Sequence, residues 1–248
     1  MSLAEGDAAL RRGELDDAQV KYLVALNAEP ESPEILYRIG TIYDSQGKTA
    51  LAEESFQQAL RLDNKHTNSK EALGLLLLKS GRYEDAHKLL KEVVVEDRNR
   101  WRSLNGLGVI YDMQKLHEQA QTFYRMALRL NSRSAQLQNN LGYSRYLSGH
   151  WEDAELYFRA AVNLQPGYKQ AWSNLGLYYV RIGNFDAALE AFEQISEPHQ
   201  AANNVGYLSM LQDNFETAEK YFEMAIRESP VYYQIAHDNL QRVRNQQK

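Results

Sequence analysis

The chain has 248 residues, with 28 lysines and arginines against 33 aspartates and glutamates, a net charge of −5 and no cysteine. The acidic balance and the lack of any basic stripe leave no electrostatic footprint for nucleic acid, and the missing cysteines exclude disulfides and thiolate metal sites. No apolar run reaches membrane-spanning length, the stretch Leu73 to Leu78 being six residues, so the chain is expected to be soluble as it stands.

In chain order the dominant signal is a repeat. Glycine stands at Gly6, Gly40, Gly74, Gly108, Gly142 and Gly176, five steps of 34 residues, and then at Gly206 after a step of 30. Twelve residues after each glycine is an alanine: Ala18, Ala52, Ala86, Ala120, Ala154, Ala188 and Ala218. The second period shows how this makes a helix pair. Leu36, Ile39, Gly40 and Tyr43 fall at i, i+3, i+4 and i+7 on one helix face, and Ala52, Phe56 and Ala59 form a second stripe after the turn at Gly47. Turn glycines recur at Gly13, Gly47, Gly81, Gly149 and Gly183, with Lys115 and Asp213 in their place elsewhere. Pro30, Pro166 and Pro230 close the second helix of their periods, because proline cannot continue the hydrogen-bond ladder. In the sixth period the second helix runs into Ser196-Glu197-Pro198 about one turn early. After Pro230, Tyr233, Ala236, Leu240 and Val243 make a last apolar stripe, with Gln234, Asp238, Gln241, Arg242 and Asn245 facing away.

A 34-residue period with a small residue on each of two helices resembles the tetratricopeptide repeat. The expected fold is all-α, a right-handed superhelical solenoid of about seven helix pairs over residues 1–32, 33–66, 67–100, 101–134, 135–168, 169–198 and 199–232. A polar-backed capping helix over 233–246 would close the array.

The resemblance implies that the first helix of each pair lines a concave groove. Residues three before, one after and four after each glycine share one helix face. In the second half they include Asn105; Asn139, Tyr143 and Tyr146; and Asn203 and Tyr207, with Asn140, Asn174 and Asn204 bordering the same face. A carboxamide offers both a donor and an acceptor, as an extended peptide backbone does, so these nine residues are the candidate peptide-binding groove. The rungs resemble the asparagine ladder in the repeat domain of O-linked N-acetylglucosamine transferases. The competing assignment makes the asparagines partners of a neighbouring repeat or caps of their own helix. Tyr43, Tyr111 and Tyr179, three after the glycine, are expected in the core.

The six histidines show no ligand spacing, and no phosphate loop, nucleophile elbow or paired-histidine motif occurs. The expectation is a non-enzyme without a metal or other cofactor. The inner positions Tyr37, Thr41, Glu71 and Leu75 do not supply the lysines with which some repeat proteins grip acidic chaperone tails.

Ala202-Asn203-Asn204-Val205-Gly206-Tyr207, the stretch Ala218 to Ala225, and Ser229-Pro230-Val231-Tyr232-Tyr233 with Ala236 to Leu240 resemble the end of TadD-type proteins, repeat lipoproteins of the tight-adherence (Flp) pilus machinery of bacteria. Glu5-Gly6-Asp7 and Leu104 to Gly108 are also similar. The resemblance implies a periplasm-facing outer-membrane lipoprotein of pilus assembly or secretion, with a protein or peptide partner such as the secretin. The opening Met1-Ser2-Leu3 lacks signal-peptide character and the first period begins inside its first helix. A lipid anchor is therefore expected only in a segment ahead of this sequence, and a cytoplasmic location is the alternative. Leu3 and Leu10 lack an N-terminal cap, which makes a homodimer through that end an open expectation. A self-associating scaffold and a regulatory segment of a larger protein are the competing roles.

Overall fold

The computed structural model describes residues 3–247, and among them the chain forms fifteen helices and no strand. They fall into two compact units, residues 1–130 and 131–248. The first unit holds four helix pairs: α1 (Leu3–Arg11) with α2 (Leu15–Ala28), α3 (Pro33–Ser45) with α4 (Thr49–Leu62), α5 (Thr67–Lys79) with α6 (Tyr83–Glu96), and α7 (Trp101–Met113) with α8 (His117–Leu130). The second holds α9 (Ala135–Leu147) with α10 (Trp151–Leu164), α11 (Lys169–Arg181) with α12 (Phe185–Glu193), and α13 (Pro198–Met210) with α14 (Phe215–Glu228), followed by α15 (Gln234–Gln246). Within each unit the second helix of a pair packs on the first helix of the next pair, and successive first helices also touch.

What holds a pair together is a ring or an isobutyl group seated on glycine. Sixteen residues after each periodic glycine stands a large buried side chain: Tyr22, Phe56, Leu90, Tyr124, Phe158, Phe192 and Phe222. Each lies where a Cβ on its glycine would be; at Gly142 such an atom would sit 2.9 Å from the Phe158 ring. The seven periodic alanines are all fully buried beside these contacts. A side chain at the glycine would force the ring aside, and a smaller residue at the ring would leave a void.

The turns between paired helices depend on left-handed backbone. Gly13, Gly47, Gly81, Gly149 and Gly183 have φ between 71° and 83°, and Lys115 and Asp213 adopt the same region at 62° and 57°. A residue with a Cβ pays a steric cost there that glycine does not. Lys115→Gly is expected to raise stability by about 0.5–1 kcal/mol, with a smaller gain for Asp213→Gly because aspartate tolerates this region better. Urea unfolding of the two variants beside the parent measures the difference; a loss of stability at position 115 would contradict the steric argument.

The early stop of the sixth pair is present: α12 has 9 residues where α10 and α14 have 14. The Ser196 hydroxyl donates to the Phe192 carbonyl (2.9 Å), and Glu197 and Gln200 form a reciprocal capping box with Pro198 in the first turn of α13. In α15, Ala236, Leu240 and Val243 are buried while Gln234, Asp238, Gln241, Arg242 and Asn245 are exposed; Tyr233 is its N-cap. Leu3 and Leu10 pack, partly buried, against the cluster of Ala9, Ala18 and Tyr22.

Three residues after its glycine, the Tyr179 side chain turns toward α10, the second helix of the preceding pair. Tyr179 is buried there, and its hydroxyl and that of Tyr178 both donate to Glu155 on α10 at 3.0 Å. Burial alone would raise the Glu155 carboxyl, but hydrogen bonds from Arg159, Tyr178 and Tyr179 outweigh it and hold the group below its ordinary value. Burial first, and the Glu155 contact second, push the Tyr178 phenol up to about 12. Tyr43 and Tyr111, at the same register, are half-buried against the core of the first unit.

Candidate functional site

In the second unit, α9, α11, α13 and α15 lie side by side as first helices and present one continuous face. The candidate residues divide on it by depth. Asn139, Asn174 and Asn203 are buried. The Asn174 Nδ2 donates to Asn139 Oδ1 at 2.8 Å, and Asn239 Nδ2 donates to Asn203 Oδ1 at 3.2 Å, so each bond joins the first helices of adjacent repeats. The Asn139 Nδ2 in turn donates to Asn140 Oδ1 at 3.5 Å. Asn140 and Asn204 are half-buried. Asn105 is buried on α7, in the first unit.

The tyrosines stand higher. Tyr143 on α9 and Tyr207 on α13 occupy the same register, one residue after the glycine, and are 39% and 42% exposed. Leu177 holds that register on α11 between them. Tyr146 stacks on Tyr143 with ring centroids 6.3 Å apart and planes 11° from parallel. Its phenol is shifted upward by burial, against the opposing pull of the nearby Arg181 cation. The Arg181 guanidinium lies 4.5 Å over the Trp151 ring.

Sequence reading missed several residues of this face. Arg181 and the exposed Leu147 and Leu211 are five residues after their glycines, one turn beyond the tyrosine register, and Gln136, Gln170 and Gln200 lie six before. Both registers share the tyrosine face by the same 3.6-residue periodicity, so the signal was available. Asn239 was passed over as part of the capping helix, where no periodic glycine marks its register.

Elsewhere, the first unit has a cleft of about 410 Å³ between α4, α5 and α6. Among its lining charges Arg82 pairs with Glu53 at 2.6 Å, and Lys70 with Glu92 at 3.4 Å and with the neighbouring Glu96 at 2.7 Å. A second cleft of about 320 Å³ lies between α10, α11 and α12, walled by Trp172 and Tyr179. Among the described residues no group of histidines and carboxylates is placed to hold a metal ion, and no helix is long and apolar enough to cross a membrane.

The chain is 27% identical over 124 residues to the type IV pilus assembly protein PilF of Pseudomonas aeruginosa, a match covering 49% of each, so it spans about half the length of that relative. The fold is like that of a tetratricopeptide repeat protein from Parabacteroides merdae, with a TM-score of 0.66 at 20% identity, covering 98% of this chain and 97% of the other. It is also like the solved PilF structure, at a TM-score of 0.63 and 19% identity over 98% and 95%. The family model described as tetratricopeptide repeat matches residues 3–66 and 139–199, which together make up half of the chain, and a second model of that description matches residues 45–104. The chain therefore belongs to the tetratricopeptide repeat family.

Proposed function

We propose that the chain is a non-catalytic interaction scaffold of bacterial pilus assembly that holds a peptide or helix of a partner protein on the face formed by α9, α11 and α13. The observation that carries this reading is the pair of exposed tyrosines, Tyr143 and Tyr207, at one register of helices already fixed by their cores, with the half-buried Tyr146 stacked on the first of them. Rigid aromatic side chains contribute large contact area at low entropic cost. The half-buried amides of Asn140 and Asn204 border these tyrosines and supply polar contacts to a bound backbone. The pilus context is supported by the similarity to PilF and by the resemblance of the C-terminal repeats to TadD-type lipoproteins. It makes the partner a component of the pilus machinery, such as the secretin, and the setting the periplasmic side of the envelope.

The second reading, self-association, is favoured by α2. Val20, Leu23 and Val24 are 58%, 39% and 40% exposed there, where the next two repeats carry Glu54, Gln57, Gln58 and Lys88, Lys91, Glu92.

Photo-crosslinking residues placed singly at positions 143, 207, 54 and 24, in a pilus-bearing bacterium expressing the chain, separate these. One pilus-machinery protein linked from 143 and 207 but not from 54 is the expected result. Adducts from 54 alone, or equal adducts from all positions, would refute the face; a self-adduct from 24 alone would favour assembly of the chain with itself.

A further inference from the structure

On α9, α11 and α13 five registers point to the docking face: six and three before the glycine, and one, four and five after it. Five registers in three repeats make fifteen positions; Asn139, Val180 and Asn203 among them are buried, and of the other twelve one, Arg181, carries a charge. The chain as a whole is 25% charged and net acidic, so this face is depleted of charge, and its single charge has the minority sign. The guanidinium is held in place by the Trp151 ring at 4.5 Å and lies near the Tyr146 phenol, and it has no carboxylate partner among the described residues. A guanidinium stacked on an indole keeps its planar edge of donors open, and that edge fits a carboxylate. Arg181 sits on the middle helix, with apolar anchors on both sides: Tyr143 and Leu147 on α9, Tyr207 on α13 and Leu211 at its C-cap.

We infer that the occupant of this face is a peptide segment with an aspartate or glutamate side chain in its interior, flanked on both sides by aliphatic or aromatic residues, and that Arg181 receives that carboxylate. An interior carboxylate is favoured over a chain terminus because apolar surface continues past Arg181 in both directions. The inference rests on the proposed docking face and names the chemistry of what it takes.

The test is a selection of random dodecapeptides displayed on phage against the full chain, followed by synthesis of the best binder and measurement of its Kd by fluorescence polarisation. Selected sequences are expected to hold an internal acid between apolar residues. Arg181→Glu is expected to weaken the synthetic peptide about tenfold or more, with Arg181→Gln intermediate, and a lysine in place of the peptide's acid restores binding to Arg181→Glu. Amidation of the peptide C-terminus leaves its Kd unchanged. Binding by Arg181→Glu within twofold of the parent, at unchanged helicity, overturns the carboxylate assignment, and loss of binding on amidation overturns its interior source. A Tyr143→Ala, Tyr207→Ala double variant reads the face itself. If it weakens the peptide while Arg181→Glu does not, the face stands and this inference falls. If no selected peptide distinguishes the double variant from the parent, both fall.

Discussion

Phe158→Ala is expected to cost about 3–5 kcal/mol of stability, the range for removing a fully buried aromatic ring. The ring occupies the space a side chain at Gly142 would need, so Gly142→Ala alone is expected to cost about 1–3 kcal/mol through overpacking. The two changes share one volume. Combined, they are expected to cost clearly less than their sum, because alanine at 158 vacates the site that alanine at 142 enters. Urea unfolding of the four proteins of the cycle gives the coupling. Repeat arrays unfold in parts rather than all at once, so hydrogen exchange on α9 and α10 should localise the loss to this pair. Strict additivity would mean that glycine and ring do not compete for the same space.

Asn174→Ala is expected to lower stability by about 1–3 kcal/mol, since it leaves the buried Asn139 Oδ1 without its 2.8 Å donor. The reciprocal change Asn139→Ala strands the other half of the pair. Replacing both removes donor and acceptor together, so the double variant is expected to lose less than the two single losses added. Thermal melts of the three variants decide it. Unchanged melting of both single variants would mean that the amides do not hold the repeats together, and would leave partner contact as their role.

The helix pairs were legible because glycine, alanine and turn residues recur at fixed offsets. That pattern located the turns at Lys115 and Asp213, the short α12 and the polar side of α15 before any coordinates. It did not expose the partner of each glycine. The residue sixteen further on changes between tyrosine, phenylalanine and leucine, and a search for identity overlooks a position that preserves only bulk. The asparagine pairs were hidden for a different reason. Asn139 and Asn174 are 35 residues apart, and Asn203 and Asn239 are 36 apart, so neither pair falls on the 34-residue period. A bond between neighbouring helices joins residues at the same height along the face, and height depends on how far each helix slides against the next. Arg181 stands at a register held by leucine in the neighbouring repeats, Leu147 and Leu211, so no recurring residue marks it, although the helical period places it on the face.

The contact between each glycine and its bulky partner is wholly internal to one repeat, and this bears on how such a chain changes over generations. A duplicated or deleted repeat carries both halves of its own lock, so Tyr22 can differ from Phe56 without any matching change next door; Leu90 is the exception, because it also lies against Gly106 of the following repeat. The asparagine bonds obey the opposite rule. Asn139 is satisfied by the repeat that follows it, and Asn203 by the final helix, so the fifth and sixth repeats and the last two segments are ordered neighbours rather than interchangeable copies. Chains descended from this one should therefore keep or lose the two members of each asparagine pair together.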